Sequence, residues 1–297
     1  MGNILVGTCS WTDPTLLQSG RFYPQTAQTA ETRLRYYASQ FPLVEVDSSY
    51  YALPAEKTAR LWVERTPDDF LFDVKAFRLF TQHPTPLSAF PRDIREALPD
   101  AASKKANVYQ RDVPGDLLGE LWARFEDALL PLDSAAKLGV VLFQFPSWFH
   151  AGSRQRDYIL SCKQRLPQYR TAVEFRNKTW LRRDDRQRTL DFLRENGLPF
   201  VCVDEPQGFE SSVPPLVEAT SDISLVRFHG RNAETWEKKG LSPAQRFDYL
   251  YSEDELTPWA RDIRELAERS SQVHVLFNNC HSDKAVVNAR QIRLMLE

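Results

Sequence analysis

The fold class that this sequence predicts is α/β, a single (β/α)8 barrel of the TIM type, and three observations predict it. Eight short apolar runs, most of them rich in β-branched and aromatic residues, recur along the chain. Amphipathic stretches separate most of these runs, and strand–helix alternation of this kind implies a parallel sheet. The length, 297 residues, suits one barrel, since such domains commonly run to about 250 residues as a single unit. One domain over 1–297 is therefore expected.

In order, the expected strands are Ile4–Thr8, Leu43–Asp47, Phe70–Ala76, Gly139–Phe145, Thr171–Phe175, Phe200–Asp204, Ile223–His229 and Val273–Asn278. Helical patterns lie between them at 28–41, 55–66, 116–130, 154–166, 184–196 and 257–269, with a last one at 283–296. Between strands six and seven, Pro206, Gly208, Pro214 and Pro215 leave no room for a long helix. The connections after strands three (78–115) and seven (230–256) are far longer than a usual βα loop. Both follow strand C-termini, so both are expected over the barrel mouth, where such loops shape substrate sites.

Composition narrows the class. A hydrophobic fraction of 42% can fill a sizeable core, and 26% charged residues match an ordinary globular surface rather than a disordered one. The net charge of −2 gives no global attraction toward nucleic acid or acidic lipid. No apolar run approaches the roughly 18 residues of a membrane span. The first residues enter a strand-like segment without a basic, then apolar, leader, so a cytoplasmic protein without a membrane partner is expected. The four cysteines, Cys9, Cys162, Cys202 and Cys280, are far apart and form no CxxC, which argues against a zinc ribbon or a disulfide scaffold.

Strand alternation then nominates a site. Side chains of a strand point alternately to opposite faces, and in a barrel one face meets the helices. With Val44 and Val46 toward the helices, Glu45 and Asp47 point inward. The same argument sends inward Asp73 and Lys75, Gln144, Glu174 and Arg176, Cys202 and Asp204, Arg227 and His229, and His274 and Asn278. A structural interior would be filled with Val, Ile and Leu. So many inward charges must be paired, hydrated or used to bind something.

Several motifs carry a resemblance. They include Gly7-Thr8-Cys9-Ser10-Trp11, Phe22-Tyr23-Pro24, Val44-Glu45-Val46-Asp47-Ser48-Ser49-Tyr50-Tyr51 and Phe72-Asp73-Val74-Lys75. Further on stand Leu142-Phe143-Gln144-Phe145-Pro146, Val173-Glu174-Phe175-Arg176 with Trp180, Val226-Arg227-Phe228-His229-Gly230-Arg231 and Phe277-Asn278-Asn279. Together they resemble the YecE-like family, a domain of unknown function, over nearly the whole chain. The resemblance implies a TIM-type barrel and supplies no reaction. The 78–115 excursion is longer than the family's usual connection, and Thr81-Gln82-His83 interrupts its Thr-His motif, so Phe80, Thr81 and His83 are not carried over.

Three functions compete at this stage. The first is an enzyme, a hydrolase, lyase or isomerase, acting on a small polar substrate that is anionic or contains a sugar. Glu174, Asp204, His229 and Lys75 are its candidates for acid–base work. Arg176, Arg227, Asp47, Gln144, Asn278 and Asn279 would bind substrate, arginine because its planar fork matches phosphate and carboxylate. Trp11, Tyr50 and Trp180 at strand ends would stack on a sugar or base. The second is metal-assisted phosphodiester cleavage of the endonuclease IV type, with Glu45, Glu174, Asp204, His229 and His274 as ligand types. Interleaved Lys75, Arg176 and Arg227 oppose a cation cluster. No cofactor is expected, and a divalent metal enters through this second reading. The third, less favoured, is a nucleic-acid-binding module using Arg231, Lys238, Lys239, Lys104 and Lys105 with Trp236 and Tyr109. Cys9 and Cys280 end neighbouring strands and His281 follows, which offers a soft-metal or redox site as an alternative, but two small buried thiols are the plainer account of them.

Overall fold

The computed structural model describes residues 2–297 and contains eight parallel strands. They are β1 (Asn3–Thr8), β2 (Leu43–Val46), β3 (Leu71–Lys75), β4 (Leu138–Gln144), β5 (Thr171–Glu174), β6 (Val201–Asp204), β7 (Ile223–Phe228) and β8 (Gln272–Phe277). Their order is β5-β4-β3-β2-β1-β8-β7-β6. First and last strands pair in register, Ile4 beside Val273. Between β5 and β6 the ladder is reduced to one parallel bridge, Val173 to Phe200, with the Val173 N–H donating to Pro199 O at 2.9 Å. The barrel is thus nearly closed.

Seven principal helices cover it: α1 (Ala30–Gln40), α2 (Glu56–Glu64), α3 (Gly115–Ser134), α4 (Ser153–Arg165), α5 (Arg183–Glu195), α6 (Glu253–Arg269) and α7 (Lys284–Leu296). All seven lie where periodicity places them, and none separates β6 from β7. Local chemistry sets their starts. Thr29 and Thr32 form a reciprocal capping box at α1, and Ser252 and Glu255 form another at α6. In α6 three acidic residues in the first turn and Arg269 in the last suit the helix dipole.

The main core lies between sheet and helices. Phe72 meets Trp62 of α2, Phe143 meets Trp122 of α3, and Phe228 meets Trp259 of α6, with ring centroids 5.2–6.2 Å apart. Burying such a ring stabilises the fold by about 2–3 kcal/mol each. A second, smaller cluster of Leu5, Leu43 and Leu276, with Leu71 against it, fills part of the barrel interior. In the same interior Asp73 binds the His274 ring at 2.9 Å and accepts from the Val140 N–H. Gly139 is required here, because a Cβ on it would lie 2.3 Å from Asp73 Oδ1. The β3–β4 register also shifts at this point: Phe72 faces Leu138 while Val74 faces Val141, so β4 carries one extra residue.

The long connection after β3 packs down. Phe80 stacks on Trp122 at 3.7 Å, Val108 is fully buried, and Thr85 and Val108 form an antiparallel bridge. Only one of its residues, His83, lines a cavity at the mouth. The connection after β7 does shape the mouth, through Leu241 to Phe247.

Alternation fails in β6. Val203 pairs with inward Arg227, and Asp204 pairs with Phe228, which packs on α6. Cys202 approaches Glu218 O and Asp204 reaches Trp259 of α6, so both face outward. Val201, Val203 and then Glu205 take the interior positions.

Candidate functional site

The mouth holds a cavity of about 610 Å3 with a neighbouring lobe of about 220 Å3. Asp47, Tyr50, Lys75, Gln144, Arg176 and Asn278 of the expected site line the larger one. Gln144, Arg176, Arg246 and Phe247 line both and stand at the junction. Sequence reasoning did not single out Ser10 or Tyr51 in the main lobe or Trp148 in the side lobe; it placed the connection that supplies Leu241–Phe247 over the mouth, gave Trp236 to the nucleic-acid reading alone and set His83 aside.

Beneath the cavity lies an ion-pair network. Arg227 is fully buried; its Nη2 meets Glu45 at 2.6 Å and its Nη1 meets Glu174. Glu174 also lies 2.7 Å from Arg176 Nε and 3.2 Å from His229 Nε2. Arg176 Nη1 donates to Glu205, whose other oxygen accepts the Val213 N–H at 2.7 Å. Glu205 sits one position beyond β6, where the correct phase of that strand would have pointed it inward. Sequence reasoning passed over it.

The network sets the charge states. Burial alone would raise Glu174, but Arg227, His229 and Arg176 hold its pKa well below the usual carboxylate range. Burial wins at the outer carboxylates: Glu45, against Arg227 and Lys75, and Glu205, against Arg176, are each pushed up to about 7. Burial and the charge of Arg176 push His229 down to about 3, which leaves a neutral imidazole. Asn278 Nδ2 lies 3.0 Å from His229 Nδ1, so an amide donated there puts the ring proton on Nε2, facing Glu174. Burial opposes the charge on Lys75, but Asp47, 2.8 Å away, with Glu45 behind it, raises its pKa above the ordinary ammonium value.

Four expected site residues stand elsewhere. Asp204, turned outward, accepts from Tyr251 Oη at 2.7 Å, Trp259 Nε1 at 2.8 Å and the Arg231 guanidinium. Its acceptor sites are filled by three side chains outside the barrel, and it lines neither lobe of the mouth cavity. Trp11 packs edge-on against Trp62 on the helix side of the sheet. Trp180 is fully buried against Phe175 and Phe149, with its Nε1 on Phe149 O. Asn279 is buried and donates to Tyr249 O and Asn288 Oδ1. Three more, Glu174, His229 and Arg227, belong to the site but lie under its floor rather than on its surface.

The metal-ligand set does not converge. Glu45 and Glu174 are taken by Arg227, His274 lies on the floor against Asp73, and Asp204 is outside. Among the described residues no three His, Cys, Asp or Glu side chains are grouped to hold a metal ion. Cys9 instead lies 3.6 Å from Arg227 Nη2, and burial raises its pKa well above the usual thiol value. Several loop cations proposed to contact nucleic acid are paired: Lys104 with Asp100, Lys105 with Asp112, Arg231 with Asp204 and Glu255. The Trp236 ring is covered by Arg176, 5.0 Å from its centroid. No helix among the described residues is long and apolar enough to cross a membrane.

Comparison with known proteins agrees with the architecture. The chain is 33% identical over 298 residues to UPF0759 protein YunF of Bacillus subtilis, covering 99% of this chain and 95% of that one. It is 26% identical to UPF0759 protein YecE of Escherichia coli over 72% of each chain. Among solved structures, a DUF72 family protein of Thermotoga maritima is 31% identical with a TM-score of 0.74, covering 99% of both chains. One from Enterococcus faecalis is 26% identical with a TM-score of 0.77, covering 99% of this chain and 95% of that one. The family model described as protein of unknown function DUF72 matches residues 5–297, and the chain belongs to that family.

Proposed function

We propose that this protein is an enzyme acting on a small, polar, anionic substrate bound in the barrel mouth, with the whole chain as one domain around it. The observation that carries the reading is the state of Arg176. Its Nη1 donates to Glu205 and its Nε is ion-paired with Glu174 at 2.7 Å without making a hydrogen bond, while Nη2 has no partner of either kind among the described residues. The side chain lines both lobes. A guanidinium fixed before the ligand arrives loses little freedom on binding, and its open edge suits phosphate or carboxylate. Lys75 lines the same cavity and spends one of three donors on Asp47.

Acid–base work then falls to the groups on the cavity surface. Lys75, held protonated, serves as proton donor or stabiliser of developing negative charge, and the Asp47 carboxylate beside it is the proton acceptor. Glu174, Glu205 and His229 position Arg176 and Asn278 from below. Hydrolase, lyase and isomerase chemistry all use such a set. Arg227 takes no part in binding, because Glu45 and Glu174 enclose it.

Phosphate titrated into the wild type, Arg176→Met and Lys75→Met, followed by thermal unfolding, tests the reading. Stabilisation by phosphate should disappear in Arg176→Met and weaken several-fold in Lys75→Met, with circular dichroism confirming that each variant folds. If Arg176→Met does not fold, Lys75→Met carries the test. Equal stabilisation of wild type and folded variants would overturn the reading.

A further inference from the structure

The side lobe contains a feature that anion binding alone does not use. Trp148 is 52% exposed, the second most exposed of the large apolar side chains among the described residues, yet it sits on a tightly pinned loop. Asn177 Nδ2 donates to Ser147 O at 2.7 Å, Trp180 Nε1 donates to Phe149 O at 2.6 Å, and the Ala151 N–H donates to Thr179 Oγ1 at 2.9 Å. Phe149, the next residue, is buried and stacked on Phe145 at 4.2 Å. An exposed indole on a rigid loop is an aromatic platform that needs no ordering when a ring settles on it.

The surroundings complete a subsite. The His83 ring meets the Trp148 ring edge-on at 5.8 Å and fixes its orientation. His83 Nδ1 bonds Thr81 Oγ1 at 2.8 Å. Burial, with Lys75 and Arg78 nearby, pushes the imidazole down to about 3, so it stays uncharged. Gln144 and Ser147 add hydrogen-bonding groups to the same lobe. Arg176 stands at the boundary with the main cavity.

We propose that the side lobe is a ring subsite, and that the substrate is a ring compound carrying a phosphate monoester. The ring lies on Trp148, its polar edge toward Gln144 and Ser147, and the phosphate meets the open edge of Arg176. This rests on the reading that an anion binds Arg176, and it names the class of molecule that carries the anion. A sugar ring and a nucleobase both present a flat face to indole, and the two are separated experimentally.

The test is calorimetric titration of wild type and Trp148→Ala with inorganic phosphate, glycerol 3-phosphate, a hexose 6-phosphate and adenosine monophosphate. Trp148 is exposed, so its removal should leave the fold intact. At least one ring-bearing phosphate should bind roughly five- to a hundredfold tighter than the two ringless ones, the range expected for one stacked ring. Trp148→Ala should abolish that excess and leave inorganic phosphate unchanged. The hexose arm or the nucleotide arm then identifies the ring. Ring compounds binding no tighter than glycerol 3-phosphate, or an excess that survives Trp148→Ala, would overturn the proposal. Ring compounds that depend on Trp148 in a protein indifferent to inorganic phosphate would bring down the anion reading and leave the ring subsite standing.

Discussion

Glu174 and Arg176 lie on the same side of one chain segment, two residues apart, with Oε1 of the first 2.7 Å from Nε of the second. The other oxygen of Glu174 meets Arg227. One carboxylate thus anchors an arginine that is enclosed and an arginine that borders the cavity, and the two should respond differently to substitution.

Arg227→Met should cost about 3–5 kcal/mol of stability, because it strands Glu45 and Glu174 as buried carboxylates without their main counter-charge. Urea denaturation at neutral pH measures this. A loss below about 1 kcal/mol would mean that the network relaxes or protonates at little cost.

Glu205 should leave a signature in the pH dependence of stability. Its folded pKa, about 7, lies above the ordinary 4.5, so the folded state keeps a proton that the unfolded state releases. Its contribution is fully present below about pH 4.5 and is lost as pH rises through 7. Glu205→Gln cannot titrate, so wild type should lose ground to it between pH 5 and pH 8, by at most about 3 kcal/mol. Parallel stability curves for the two proteins would rule out a raised pKa at this position.

His229 should stay neutral far into acid, since its folded pKa is about 3. The unfolded chain takes up a proton near pH 6.5 that the folded state refuses, so this histidine favours folding above pH 6.5 and loses that effect as pH falls toward 3. Nitrogen chemical shifts of the ring should show an Nε2-protonated neutral tautomer from pH 8 down to pH 5. An imidazolium pattern at pH 6 would contradict the placement.

Asp204→Ala should lower stability by about 3 kcal/mol or more, because Tyr251, Trp259 and Arg231 all lose their shared acceptor. Phosphate binding by the folded fraction should persist. Unchanged stability with binding lost would restore Asp204 to the binding site.

Most of the barrel was legible because apolar runs and helical periods are local. Alternation correctly gathered Asp47, Lys75, Gln144, Glu174, Arg176, Arg227, His229 and Asn278, since a charge in those strands has only the interior to face. It failed at Val201-Cys202-Val203-Asp204, where both faces are buried and valine suits either. The neighbouring strand fixes the phase there, through Val203 beside Arg227, and a single strand read alone does not contain that information. Trp11 and Trp180 illustrate a second limit. An indole near a strand end stacks as readily on other core rings as on a ligand, whereas Trp148, just past Gln144, is set apart from them only by its exposure.

The extra residue in β4 has a consequence for how this barrel can change. Gly139 borders Asp73 inside the barrel and Gln144 reaches Arg227 there, 3.4 Å away, although five positions separate them. An uninterrupted strand would send residues an odd number apart to opposite sides. The bulge therefore works as a phase corrector that lets one strand serve both the lower and the upper storey. Deleting one residue of the bulge would make the strand regular and leave Gly139 and Gln144 an even number apart on the same side, whereas deleting one at 142 or 143 with the bulge kept would turn Gln144 out among the helices. A change of length in this strand is thus absorbed at the bulge alone, and the storey above it keeps its phase only while the count from Val141 to Gln144 is kept.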